Sequence, residues 1–186
     1  MTNHQRTLAE RGTLMSKVRN GVNVDQLIGT IEALKDNPEQ AHFHFRAKNE
    51  WVSGAHSRTT IQRGPFILEG DEPAVLCGSN AAPNPVEAVL HALASCLAVG
   101  VVYNAAARDI QIDGLEFDLE GDIDLHGFLG LSEQIRPGYQ NIRVSYRVKS
   151  DAPREKLEEL FEYVQKTSPV LDIISNPIPV SVTLAE

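Results

Sequence analysis

Between Asn84 and Arg108 the chain carries no charged residue except Glu87 near the start and Arg108 at the end. Val86, Val89, Leu90, Leu93, Leu97, Val99, Val101 and Val102 are spread over nearly every side of a helix drawn through this segment. Asn84 is a good N-cap, and Pro85 suits the first helical position, where its missing N–H costs no hydrogen bond. A helix that is apolar all round is a buried one, so this segment is expected to be the centre of the fold. Its many alanines allow other elements to approach closely. No uninterrupted apolar run reaches the roughly 18 to 20 residues that span a bilayer.

The remaining periodicities surround that helix. Val24, Leu27, Ile28, Ile31 and Leu34 make one stripe of a short amphipathic helix, with Asn23 placed to cap it and Gln26 in capping-box position. Asn37-Pro38 ends it. Residues 1–20 show little periodicity and are expected to form a loose arm. Strands are expected at 41–51 and 55–62, joined at Ser53-Gly54 as a hairpin. Gly64-Pro65 breaks the pattern, and 69–84 reads as a loop rich in Gly, Pro, Asn and Asp. Beyond the central helix, Leu115, Phe117, Leu119, Ile123 and Leu125 alternate with acids, and Ile142, Val144, Tyr146 and Val148 alternate with Arg143, Ser145 and Arg147. Ile178, Val180, Val182 and Leu184 promise a closing strand. Such alternation sets one face on a core and the other in water, as in antiparallel sheets. Leu157, Leu160, Phe161 and Val164 define another amphipathic helix at 153–166. The connection 126–140 is long for a hairpin and carries Phe128, Leu129 and Leu131, so it is either functional or a plain surface loop. The expected class is α+β, with antiparallel sheets packed on a long central buried helix. Residues 1–40 form an arm and short helix, and 41–186 the domain proper.

The formal net charge of −8 argues against nucleic acid and anionic membranes as partners, because the summed field repels both. The first twenty residues are polar and lack the apolar core of a secretory signal, from which a cytoplasmic location is expected. Cys77 and Cys96 are too few for a disulfide scaffold and lack metal-ligand spacing, so neither a metal nor another cofactor is expected. In a reducing compartment such a thiol is either inert packing or chemistry.

The segment Ala82-Pro83-Asn84-Pro85-Val86-Glu87, followed by Leu90-His91-Ala92-Leu93-Ala94-Ser95-Cys96-Leu97, resembles the signature of the OsmC/Ohr family. In that family Asn-Pro opens the central helix and a cysteine follows within an Ala-rich run. The order of the other elements agrees over residues 43–184. The resemblance implies an intertwined homodimer with two sites at the subunit interface. It also implies reduction of organic hydroperoxides or hydrogen peroxide by a peroxidatic cysteine, with an arginine and a glutamate around thiolate and peroxide. A second cysteine resolves the sulfenic acid, and dithiols restore the enzyme. Physically, a nearby cation must favour the thiolate, and arginine is the cation that does not deprotonate. The sulfenic acid must then meet another thiol before it is over-oxidised.

By this resemblance Cys96 holds the peroxidatic position and Arg58 that of the thiolate-stabilising arginine. Read from composition alone, Cys96 is a small core residue and Arg58 a solvent-facing strand residue. The family glutamate directly follows Asn-Pro, where this chain has Val86; its acid is Glu87, nine positions before Cys96. At about 100° per residue, nine steps carry Glu87 to the opposite side of the helix. There it can serve as an N-terminal charge, meet His91, or reach a second subunit's site. The family's resolving cysteine precedes a proline after the late helix, where this chain has Ser168-Pro169. A hydroxyl forms no disulfide, so the ordinary two-cysteine cycle is closed to it. Cys77 could substitute if its Cα comes within roughly 7 Å of that of Cys96; otherwise it is an apolar strand-end residue. Trp51, Phe128 and Tyr139 could line an apolar pocket or simply pack.

The expected function is a thiol-dependent redox protein reducing peroxides through Cys96, assisted by Arg58 and Glu87 and rescued by an external thiol reductant. The alternative is a non-catalytic protein of the same fold that binds a small apolar ligand at the dimer interface. A hydrolytic or acyl-transfer thiol catalyst ranks last, since no Cys-His-Asp arrangement is recognisable.

Overall fold

The computed structural model describes residues 16–62 and 64–185. The chain is α+β, with small antiparallel sheets and a long central helix. That helix, α2 (Pro85–Ala107), starts as its sequence requires. Asn84 Oδ1 accepts from Glu87 N–H at 2.8 Å, Glu87 Oε2 accepts from Asn84 N–H at 2.8 Å, and Pro85 occupies the first turn.

One stripe of α2, made by Leu93, Leu97, Val101 and Ala105, is buried against Leu160, Phe161 and Val164 of α4 (Arg154–Thr167). The two helices come close because Gly100 faces Val164: a Cβ there would lie 2.8 Å from Val164 Cγ1. The antiparallel hairpin of β6 (Gly114–Asp122) and β7 (Asn141–Lys149) closes this core. Phe117 and Tyr146 reach Phe161, with Tyr146 stacked at 3.8 Å between ring centroids. The outer face of the hairpin is charged. Arg147 pairs with Glu116 and Asp118, and Arg143 with Glu120 and Asp122. Opposite charges directly across a ladder support the register that keeps Phe117 and Tyr146 on the face towards α4.

The chain departs from the expected pattern at several places. The sides of α2 away from its core stripe are open, with Val99 51% and Tyr103 48% exposed. Among the described residues, the β6–β7 hairpin and the two helices after it cover one side of an apolar cylinder, and the N-terminal helix and hairpin touch it less extensively. By length and composition α2 could cross a bilayer, but its packed stripe is that of a core helix. The closing strand does not form: residues 177–185 join no ladder, and Val182 is 91% exposed. A strand needs a neighbour, and the isolated chain gives it none.

Several elements were not expected, among them a short helix α3 (Leu125–Phe128), which begins at the Leu125 expected to continue the strand. β5 (Phe66–Gly70) extends the hairpin of β3 (Ala47–Ser53) and β4 (His56–Ile61) into a three-stranded sheet. Residues 42–46 stay outside it, with Phe43 and Phe45 stacked and exposed. Helix α5 (Pro169–Ser175) follows α4 at once, capped by Ser168. Upstream, β1 (Val18–Arg19) and β2 (Val22–Asn23) turn through Asn20 and Gly21, both at positive φ. This is the Asn-Gly turn that a tight hairpin favours, so residues 16–20 are not a loose arm; residues 1–15 of the expected arm lie outside the described residues. Asn20 clamps the backbone beyond α2, donating to Ile110 O and accepting from Ile112 N–H, both at 2.9 Å. Helix α1 (Val24–Asp36) begins under its expected Asn23 cap, with Val24 buried.

Candidate functional site

Cys96 lies halfway along α2, one position before the buried stripe. Its side chain is half-buried and opens onto an apolar cleft formed with Val99, Gly100, Val164, Thr167 and Pro169. The sulfur is therefore neither sealed in the core nor free on the surface. Its polar neighbour is Ser168, whose Oγ is 3.2 Å from Cys96 Sγ. Ser168 is itself buried, held at the junction of α4 and α5, where its oxygen accepts from Leu171 N–H at 3.3 Å.

The other expected site residues are occupied elsewhere in the chain. Glu87 completes the capping box, which answers what its carboxylate does at the start of α2. Arg58 Nε donates to Glu69 Oε1 at 2.7 Å, and His56 holds the other oxygen of the same carboxylate. The Arg58 guanidinium holds the Glu69 carboxyl below its ordinary range, with His56 adding to the effect. The register places Arg58 with Lys48, Glu50 and Glu69 on one face of the sheet, while Trp51, Ile61, Phe66 and Leu68 share the other. This sheet makes no extensive contact with α2 or any other described element. Within one chain the fold brings Cys96 to Ser168 and not to Arg58.

Cys77 is exposed, in a left-handed conformation at φ 62°, at the bend of the loop before α2. It is not among the residues lining the Cys96 cleft. The loop is braced by Asp71, which is buried and accepts from Ser79 Oγ at 2.5 Å and from the N–H groups of Glu72 and Ala81 at 2.8 and 3.0 Å. These donors, Ser79 first, bring the Asp71 carboxyl down to about 2. The Asp71 N–H in turn donates to Pro83 O, closing the loop just ahead of Asn84. Asp71 thus fixes the entry to α2, a role the sequence shows only as one Asp in a turn-rich stretch. On the far side, Tyr139 donates to Val86 O at 2.8 Å and ties the long 126–140 connection to the first turn of α2.

The expected aromatic lining is placed differently. Trp51 is 75% exposed with its Nε1–H on Gly54 O, and Phe128 is 54% exposed. A cavity of about 130 Å³ does exist, between the β6–β7 hairpin and the helices. Leu97, Phe117, Val144, Tyr146, Phe161 and Leu171 line it, so its aromatic rings come from the alternating strands and α4. Among the described residues, no group of three or more His, Cys, Asp or Glu side chains is arranged to hold a metal ion.

Solved structures of the same fold are found among bacterial proteins. The OsmC-like protein of Mycoplasma pneumoniae superposes with a TM-score of 0.61 at 16% identity, over 72% of this chain and 88% of that one. An OsmC-like protein of unknown function from Vibrio cholerae gives 0.59 at 13% identity, over 70% and 93%. An organic hydroperoxide resistance protein OsmC from Legionella pneumophila gives 0.55 at 16% identity, over 71% and 89%. At these identities the likeness is one of fold. No curated protein matches the chain. The family model of the OsmC-like protein matches residues 78–183, which hold α2 with Cys96, the β6–β7 hairpin, α4, Ser168 and α5. That match spans more than half of the chain, and the chain belongs to the OsmC-like protein family.

Proposed function

We propose that this chain is a thiol-dependent redox protein that reduces organic or hydrogen peroxides at Cys96. The observation that carries the reading is the Cys96 sulfur itself, fixed at mid-helix, half-exposed on an apolar cleft and touching a buried hydroxyl. Family membership supports it, as does the hydroperoxide-resistance name of the Legionella protein. The Cys96 thiolate attacks one peroxide oxygen and the O–O bond breaks. Sulfur keeps that oxygen as a sulfenic acid, and the other oxygen leaves with a proton as alcohol or water. One external thiol then bonds to the sulfur and releases water, and a second external thiol frees Cys96 as their disulfide forms. A reducing cytoplasm supplies such thiols.

The reading includes a second copy of the chain. Three apolar surfaces are open together: the outer side of α2 with Val99 and Tyr103, the Trp51–Leu68 face of the sheet, and the alternating tail with Val180 and Val182. A homodimer would bury all three. In it Arg58 could reach Cys96 only from the partner, and we keep it as the cation of the site in that trans arrangement. Arg58→Ala is then expected to slow hydroperoxide consumption by Cys96. Glu87 contributes by capping α2 and so by placing Cys96.

Turnover of cumene hydroperoxide with dihydrolipoamide tests the proposal. The wild-type protein should consume hydroperoxide, and Cys96→Ser should abolish consumption while Cys77→Ser retains it. A wild-type protein that is folded yet inactive with both peroxide classes contradicts it. A second reading, binding of a small apolar molecule, is favoured by the cavity of about 130 Å³. It is close to the ~150 Å³ of an engineered apolar cavity that takes up benzene. Thermal stabilisation by benzene or indole would support this reading, and no shift at saturation would remove it.

A further inference from the structure

The Ser168 hydroxyl carries one proton and two lone pairs. One lone pair accepts from Leu171 N–H as the cap of α5, which fixes the side chain and leaves the O–H proton free to turn to Cys96 Sγ, 3.2 Å away. Ser168 is 5% exposed, so water does not compete freely for that proton. A thiolate has no proton to give. Once Cys96 ionises, the bond can run only from Ser168 to sulfur, and a hydrogen bond to the charged form favours that form.

We propose that Ser168 is a positioning residue of the Cys96 site with two consequences. It donates to the Cys96 thiolate and so favours ionisation. Being an oxygen, it forms no disulfide, so peroxide leaves Cys96 as a sulfenic acid that persists until an external thiol enters through the apolar cleft. That thiol's sulfur bonds to Cys96 Sγ as the sulfenic oxygen departs in water, and no electrons come from within the chain. The inference rests on the reading of Cys96 as the redox centre.

Loss of the hydroxyl in Ser168→Ala should lower the ionisation constant of the Cys96 thiol by about tenfold, the scale of a hydrogen bond to a charged group. The pH dependence of alkylation by iodoacetamide reads it, and Ser168→Thr should restore the wild-type profile. An unchanged profile in a folded Ser168→Ala protein overturns the donor role. Because that variant also loses the α5 cap, Ser168→Cys provides an independent arm. Diamide should close a disulfide between the introduced thiol and Cys96, itself taking up two electrons and two protons. Failure to close it overturns the geometry. With cumene hydroperoxide, wild-type protein should give a dimedone adduct on Cys96, whereas Ser168→Cys should give the disulfide and no adduct. A Cys77–Cys96 disulfide in oxidised wild-type protein overturns the inference while leaving the peroxide reading intact. If diamide closes the engineered disulfide but hydroperoxide oxidises neither protein, the peroxide reading fails and the sulfenic-acid step falls with it.

Discussion

Glu87 stands nine positions ahead of Cys96, and helix geometry alone sends the two to opposite sides. The capping box shows what keeps the carboxylate where it is. The placement on opposite sides was legible in the sequence, as was the helix that carries Cys96, because cap, proline and apolar run point to one helix; the capping box was not among the roles read for Glu87. Arg58 was not legible in the same way. Alternation tells which residues share a face but not which face meets a core, and the register with Glu50 and Glu69 was needed to assign it. Asp71 was missed, since its partners Ser79 and Ala81 meet it only after the loop has closed. Its carboxyl is held at about 2, below the ordinary value near 3.9. A depressed folded-state pKa contributes stability that is present above about pH 4 and lost as pH falls through about 2. Asp71→Asn should therefore be less stable than wild type at neutral pH, and the gap in melting temperature should close between about pH 4 and pH 2. A gap constant over that range would mean that the Asp71 charge plays no part.

At the scale of elements, the strongly periodic segments are the legible ones: α2, α4, β6 and β7 stand where alternation or helical spacing puts them, except that β6 ends at Asp122, before Ile123 and Leu125. Short elements escaped for identifiable reasons. Helix α5 has the same cap-then-proline signal as α2, Ser168-Pro169 against Asn84-Pro85, but it is only seven residues long, too few for a periodic stripe. β5 is three apolar residues and a Glu-Gly after a break. The Asn20-Gly21 turn is a hairpin signal flanked by strands two residues long. The α2–α4 contact that sets Ser168 against Cys96 depends on Gly100 lying under Val164. Val164 is β-branched and stiff in a helix, so it cannot swing aside cheaply. Gly100→Ala should destabilise the protein by about 1–3 kcal/mol in urea unfolding. The loss should shrink in Gly100→Ala/Val164→Ala relative to the sum of the single variants. Strict additivity would place the strain elsewhere.

For the whole molecule, the open side of α2, the uncovered sheet and the unpaired tail are the three surfaces that the proposed homodimer would bury. Alternation in the tail predicts a strand, yet residues 177–185 join no ladder, because periodicity shows which residues share a face and not whether a neighbouring strand is present. Val182 is 91% exposed, so Val182→Asp should be silent in a monomer. In a dimer that buries it, an unpaired charge should weaken association by about a hundredfold or more, read by sedimentation velocity. The most direct measurement, however, concerns Cys96 in that assembly: intact-protein and peptide mass spectrometry after one equivalent of cumene hydroperoxide in the presence of dimedone. The account predicts one dimedone adduct per chain, on Cys96, with Cys77 unmodified and the adduct absent if dihydrolipoamide is added before dimedone. Hydroperoxide left unconsumed, or an adduct confined to Cys77, would contradict it.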